Sequence, residues 1–162
     1  MSLDPPLRPP AHQVNPRAVR WWQLRALPWL MVLAAPQLVL LLTTSAPIWP
    51  YTLAATGLAG LAYVVVVPRI LFRIHRWEVT DEAVYTLSGW LVREWRIAPI
   101  SRVQTVDTQH GPLQQLLKLA TVTVTTASAR GAVKIAGLDA QDAAELARTL
   151  TETTQATPGD AT

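Results

Sequence analysis

Cysteine is absent from the 162 residues, which excludes disulfides, thiolate metal sites and cysteine nucleophiles and leaves the redox compartment unmarked. Histidine is scarce, and His12, His75 and His110 stand too far apart in the chain to give a metal-ligand spacing. The longest absence is of charge. Residues 26–68 contain no Asp, Glu, Lys or Arg, a composition that excludes a water-facing surface for that stretch. What stands there instead is two apolar runs, residues 27–44 and 51–67. Each is close to the roughly 20 residues a helix needs to cross about 30 Å of hydrocarbon. Between them, Ser45-Ala46-Pro47-Ile48-Trp49-Pro50 supplies two prolines that break a helix and, with Tyr51, aromatic rings suited to a headgroup interface.

These features predict a transmembrane helical hairpin over residues 21–68. Trp21, Trp22 and Arg25 read as an anchor at its start, and Arg69, Arg73 and Arg76 follow its end. Contacts with membrane lipids, anionic ones especially, are expected at these six residues and at Trp49 and Tyr51. Both flanks carry arginine and the connecting loop carries none, so both termini are expected on the cytoplasmic side of a cell membrane. A hairpin dipping into one leaflet is the competing geometry. A cleaved signal peptide ending at Thr44-Ser45-Ala46 fits poorly, since its leader would be unusually long and a second apolar run follows at once. Within the hairpin, Gln37 beside Pro36 is expected to face the partner helix, and Gly57, Gly60, Ala54, Ala55 and Ala59 to permit close approach. Residues 1–20 and 152–162 read as flexible tails, the first for its prolines and polar groups.

A formal net charge of +3 invites a nucleic-acid reading, but the placement of charge opposes it. The basic excess lies on the hairpin's flanks, whereas from Trp77 onward acids outnumber bases. No nucleic-acid partner is expected, no motif calls for a cofactor or a metal, and no small-molecule substrate is indicated.

After residue 68 the pattern changes to short alternating segments. Six strands are predicted, at residues 75–80, 83–87, 91–98, 102–108, 121–126 and 132–136, with a helical turn over 112–119. In Thr121-Val122-Thr123-Val124-Thr125 the valines are expected to point inward, as are Val133 and Ile135 on either side of Lys134. A helix over 139–151, capped by Asp139, repeats Ala143, Leu146, Ala147 and Leu150 on one face.

The order of parts resembles a known family. Two apolar helices are followed by Trp77-Glu78-Val79-Thr80-Asp81-Glu82, Ser88-Gly89, Ile100-Ser101-Arg102-Val103-Gln104-Thr105-Val106-Asp107, Gly111-Pro112-Leu113 and Leu119-Ala120-Thr121-Val122-Thr123-Val124-Thr125-Thr126-Ala127. This looks like the YdbS-like family of bacterial membrane proteins carrying a pleckstrin-homology-like domain. The resemblance implies an α+β, mostly β domain over residues 69–151: a partly open antiparallel barrel of about seven strands, closed by the C-terminal helix. It marks Trp77, Thr80, Gly89, Pro99, Arg102, Gln104, Asp107, Gly111, Leu119 and Ala120 as structural motif positions. The six strands read above leave a seventh without a segment. Lys118 stands where relatives often have glycine, so the bend there is expected to be built differently.

Pleckstrin-homology domains that bind phosphoinositides carry cations in the first hairpin loop. Here that loop is read as Asp81-Glu82, of the wrong sign for phosphate. Ser101, His75, Asp107 and His110 form the only conceivable catalytic set, and nothing pairs a nucleophile with a base at an informative spacing. Trp90 and Trp95 read as core or cross-strand residues ahead of a lipid-contacting surface. The expectation is a non-enzymatic interaction or scaffold module, its partner an unidentified membrane or cytoplasmic protein or a second copy. A module responding to anionic lipid is the alternative.

Overall fold

The computed structural model describes residues 8–127 and 131–156. The tail residues 1–7 and 157–162 and residues 128–130, which fall between two expected strands, lie outside the described residues. Two helices, α1 (Arg17–Thr43) and α2 (Trp49–Ile74), form the antiparallel hairpin, and both are long and apolar enough to cross a membrane. At about 1.5 Å per residue, each measures about 40 Å. Both are longer than the apolar runs on the side of the β domain. The Asn15 side-chain oxygen accepts the Arg17 N–H at 2.9 Å to start α1, and α2 runs through Pro68 for another six residues. Charge ends an apolar span without ending a helix.

Gln37 does face the other helix. Its side-chain amide donates to Thr56 Oγ1 at 3.0 Å, and the Thr56 hydroxyl donates back to Gln37 Oε1 at 3.1 Å. The close approach is made at Gly60, where a Cβ would come within 2.6 Å of Leu30 Cδ2; at Gly57 it would meet nothing.

The domain consists of two antiparallel sheets. One has the order β1 (His12–Gln13), β2 (Arg76–Val79), β3 (Ala83–Ser88), β4 (Glu94–Pro99), and the other β5 (Val103–Gln109), β6 (Leu119–Thr126), β7 (Val133–Asp139). The short α3 (Pro112–Leu116) joins β5 to β6, and α4 (Ala140–Ala156) closes the assembly. The seventh strand is β1. It lies in the segment expected to be a flexible tail, with His12 opposite Trp77 and Gln13 opposite Arg76. For residues 8–20 that expectation is wrong, because Pro10 and Val14 are buried and the Glu78 carboxylate holds both Arg8 and the Ala11 N–H. The segment carries few apolar residues but places them well. The hairpin is therefore an insertion between β1 and β2, and the β domain is assembled from residues on both sides of it.

Other boundaries move for local reasons. Residues 91–93, expected in a strand, belong to the β3–β4 connection, and β4 starts at Glu94. Strand β7 continues to Asp139 through Gly137, whose φ of +84° suits glycine. Helix α4 extends past Thr151 to Ala156. Its Ala143, Leu146 and Leu150 pack on Val84, Ala98, Ile100, Val122 and Val124 in one core, which Val133 and Ile135 join from β7. Asp139 Oδ1 accepts the Gln141 N–H at 3.1 Å, as a helix cap does.

Candidate functional site

The hairpin joins the domain at two points. Ala18, on the first turn of α1, is fully buried against Gly137, where a Cβ would lie 2.7 Å from the Ala18 methyl. Around this contact the Asn15 N–H donates to Gly137 O at 2.9 Å, and the Arg17 guanidinium donates to Asp139 Oδ2 at 3.0 Å and Leu117 O at 3.1 Å. The second point is the end of α2. There the His75 ring packs at a steep tilt against Trp22, with centroids 5.3 Å apart, and Nδ1 lies 3.2 Å from Leu71 O. Burial pushes the His75 imidazole below its ordinary pKa, and the hydrogen bond to Leu71 opposes this in part. Only His75 separates the helix from β2, so the domain has no slack with respect to the hairpin.

Apart from Trp22, half-buried against His75, the residues expected at the lipid interface divide into three groups. Trp49 and Tyr51 start α2 at the far end of the hairpin, with Tyr51 largely exposed. Arg25, Arg69 and Arg73 are exposed near the domain, as is Arg20. Among the described residues the ion pairs are Arg8–Glu78, Arg17–Asp139 and Arg96–Glu94, so these four arginines have no carboxylate partner there. Trp21 and Arg76 are used internally, contrary to expectation. Trp21 is buried because it lies three residues from Ala18, on the helix face that meets the domain, with the Arg25 guanidinium 5.4 Å from its ring centre. Arg76 sits in β2 and donates to Pro10 O at 3.4 Å.

Beside Trp22 and Arg25, a groove of about 460 Å³ runs between the helices, lined further in by Trp29, Leu33, Tyr63 and Val67. A second cleft of about 460 Å³ opens on the domain between β2 and α4. Trp77, Val79, Ile100 and Leu146 give it an apolar lining, and Asp81, Asp142 and Glu145 an acidic one.

The motif residues act in turns and packing. Thr80 closes the β2–β3 turn, its Oγ1 accepting the Glu82 and Ala83 N–H groups at 3.3 and 3.2 Å. Gly89 has φ +91°, and a Cβ there would overlap the Val92 carbonyl oxygen. Pro99 ends β4, Arg102 O accepts the Ala127 N–H at 3.1 Å, and Gln104 falls at the register shift of β5. Asp107 accepts from Thr105 Oγ1 at 3.4 Å, and the Gly111 N–H donates to Gln114 Oε1 at 2.9 Å. Trp77 packs on the core, while Leu119 and Ala120 are wholly buried. Lys118 has φ +54°, which explains why glycine suits that position.

The conceivable catalytic set is scattered. Ser101 lies in a 3-10 turn, Asp107 on an exposed part of β5, and His110 beside Leu119 O at 3.1 Å, while His75 is at the end of α2. Asp81-Glu82 also proves to be the second connection and not the first, since the helical hairpin itself joins β1 to β2.

Two helices, a four-stranded and a three-stranded antiparallel sheet and a closing helix agree with a family comparison, in which the model of the bacterial PH domain matches residues 25–154. The chain belongs to the bacterial PH domain family. It is also 30% identical over 128 residues to the UPF0699 transmembrane protein YdbS of Bacillus subtilis (strain 168), covering 74% of this chain and 78% of that protein. No solved structure matches it. It is thus a membrane protein with a bacterial PH domain, the domain interrupted after its first strand by the two apolar helices.

Proposed function

We propose that this protein is a non-enzymatic interaction module that presents its PH domain at a fixed height and orientation on the cytoplasmic face of the membrane. The observation that carries the reading is the double attachment, Ala18 on Gly137 and α2 running into β2 across His75 alone. A tether without slack suits the display of one surface to a partner, whereas a domain that searches for ligands profits from a flexible linker. The β2–α4 cleft, apolar with acidic residues, is a surface suited to a partner segment with apolar and basic side chains.

The test is site-specific photocrosslinking from position 145 of the full chain in living cells. A discrete adduct that disappears with Asp142→Lys is expected; recovery of the monomer alone from position 145 and from position 81 contradicts the reading. The second reading, a response to anionic lipid, is favoured by the exposed Arg20, Arg25, Arg69 and Arg73. It predicts that the full chain in nanodiscs enriches anionic lipid around itself at low salt and loses the enrichment at high salt. Indifference to lipid charge would sink it.

A further inference from the structure

The β3–β4 connection is the second candidate contact with the membrane, and nothing in the proposed function uses it. Large apolar residues are buried in most of the domain, yet three in succession stand at this tip: Trp90, Leu91 and Val92 are 44%, 79% and 78% exposed. A run of exposed apolar residues in water is unfavourable unless something covers it. Its backbone is held in a defined shape, because Gly89 adopts φ +91° and leaves room for the Val92 carbonyl that no side chain would allow.

The register shows at which end of the sheet the tip lies. Strand β2 leaves α2 at Arg76, which pairs with Leu87, and Val79 pairs with Val84. The acidic Asp81-Glu82 turn is consequently at the end of the sheet away from α2, and Ser88 at the end beside it. Thr86, Leu87 and Ser88 share a small pocket with His75, placing that end of β3 against the exit of α2. From Ser88 the chain turns back on itself through Gly89 to Glu94, which pairs with Ser88, so residues 90–92 form the tip of a tight connection just beyond that end of the sheet. The portion of α2 beyond its charge-free stretch, residues 69–74, is six residues, about 9 Å of helix. Arg93 is exposed at the base of the tip, and Arg69 and Arg73 are exposed on α2, so cations accompany the apolar tip as they do in interfacial segments.

We infer that Trp90, Leu91 and Val92 insert into the headgroup and upper acyl region of the leaflet on the domain's side, giving the domain a contact with lipid independent of the hairpin. The inference rests on the membrane hairpin and not on the interaction reading, so either can fail alone.

The natural absence of cysteine permits a direct test in the full chain. Leu91→Cys, Val92→Cys and, on the distal turn, Glu82→Cys are each labelled with a polarity-sensitive fluorophore and placed in nanodiscs of phosphatidylcholine and phosphatidylglycerol. A spin-labelled lipid carrying its quencher near the headgroup is then added. Positions 91 and 92 are expected to emit to the blue of position 82 and to lose most of their emission to the quencher, with position 82 unaffected. Emission from 91 and 92 that matches position 82 overturns the inference. So does a blue shift without quenching, which would mean that protein and not lipid covers the tip.

Discussion

The hairpin and the β domain treat the same kinds of side chain in opposite ways. In the domain, Val84, Leu119, Val122 and Val124 are wholly buried, whereas in the hairpin Leu42, Leu58 and Leu61 are exposed by 78%, 71% and 62%. Each part is built for its own solvent. Water drives the domain's apolar residues into one core, whereas the helices are held together by local fits such as Leu30 on Gly60 and by the Gln37–Thr56 pair. Residues 8–20 belong to the first regime although they precede the second in the chain.

Removing the segment is expected to have the largest effect. Deletion of residues 1–16 strips β1 and the buried Pro10 and Val14 from the domain. It should cost about 3 kcal/mol or more, seen as proteolysis of the β domain while the helices remain in the membrane fraction. An unaffected domain would restore the tail reading.

Glycine substitutions sharpen the contrast next. Gly137→Val places a Cβ against the rigid Ala18 methyl and in a left-handed backbone. A cost of about 2–3 kcal/mol is expected in thermal unfolding of the purified protein. Gly60→Val meets the end of the flexible Leu30 side chain, which can turn aside, so its cost should be only about 1 kcal/mol. Equal costs would mean that the hairpin is packed as tightly as the domain.

Smaller effects follow. Gln37→Leu removes the exchange with Thr56 and should weaken helix association by about 0.6 kcal/mol, measured by unfolding in detergent. Lys118→Gly relieves a left-handed lysine and should stabilise the domain by about 0.5 kcal/mol, relief of strain exceeding lost chain stiffness.

His75 tests the junction by pH. Its folded pKa is depressed below the ordinary 6.5, so between the two values the unfolded chain binds more protons. Its contribution is complete above pH 6.5 and is lost as the pH falls toward the folded pKa. His75→Gln should flatten that slope in thermal melts across the window.

Much of the architecture was legible in the sequence because continuous and alternating hydrophobicity are strong signals, as in the charge-free residues 26–68 and in Thr121-Val122-Thr123-Val124-Thr125. Strand β1 was not, since two residues without alternation, set among prolines, carry no period, and their pairing with Arg76 and Trp77 spans the whole hairpin. The exposed arginines at the membrane end were legible from their place next to the apolar runs. Which arginines would be consumed internally was not, because Arg17–Asp139 and Arg76–Pro10 join residues far apart in the chain. Leu91 and Val92 read as the start of a strand, since a short apolar run looks alike in a core and on an exposed tip.

If, as proposed, the helices cross the membrane and return, both parts of the PH domain lie together on the cytoplasmic side. Single cysteines at Ala11, Ser45 and Glu82 and a membrane-impermeant thiol reagent test it in intact cells. Only Ser45→Cys is expected to react before lysis, with Ala11→Cys and Glu82→Cys reacting after it. Labelling of Ala11→Cys or Glu82→Cys in intact cells, or of Ser45→Cys only after lysis, would contradict it.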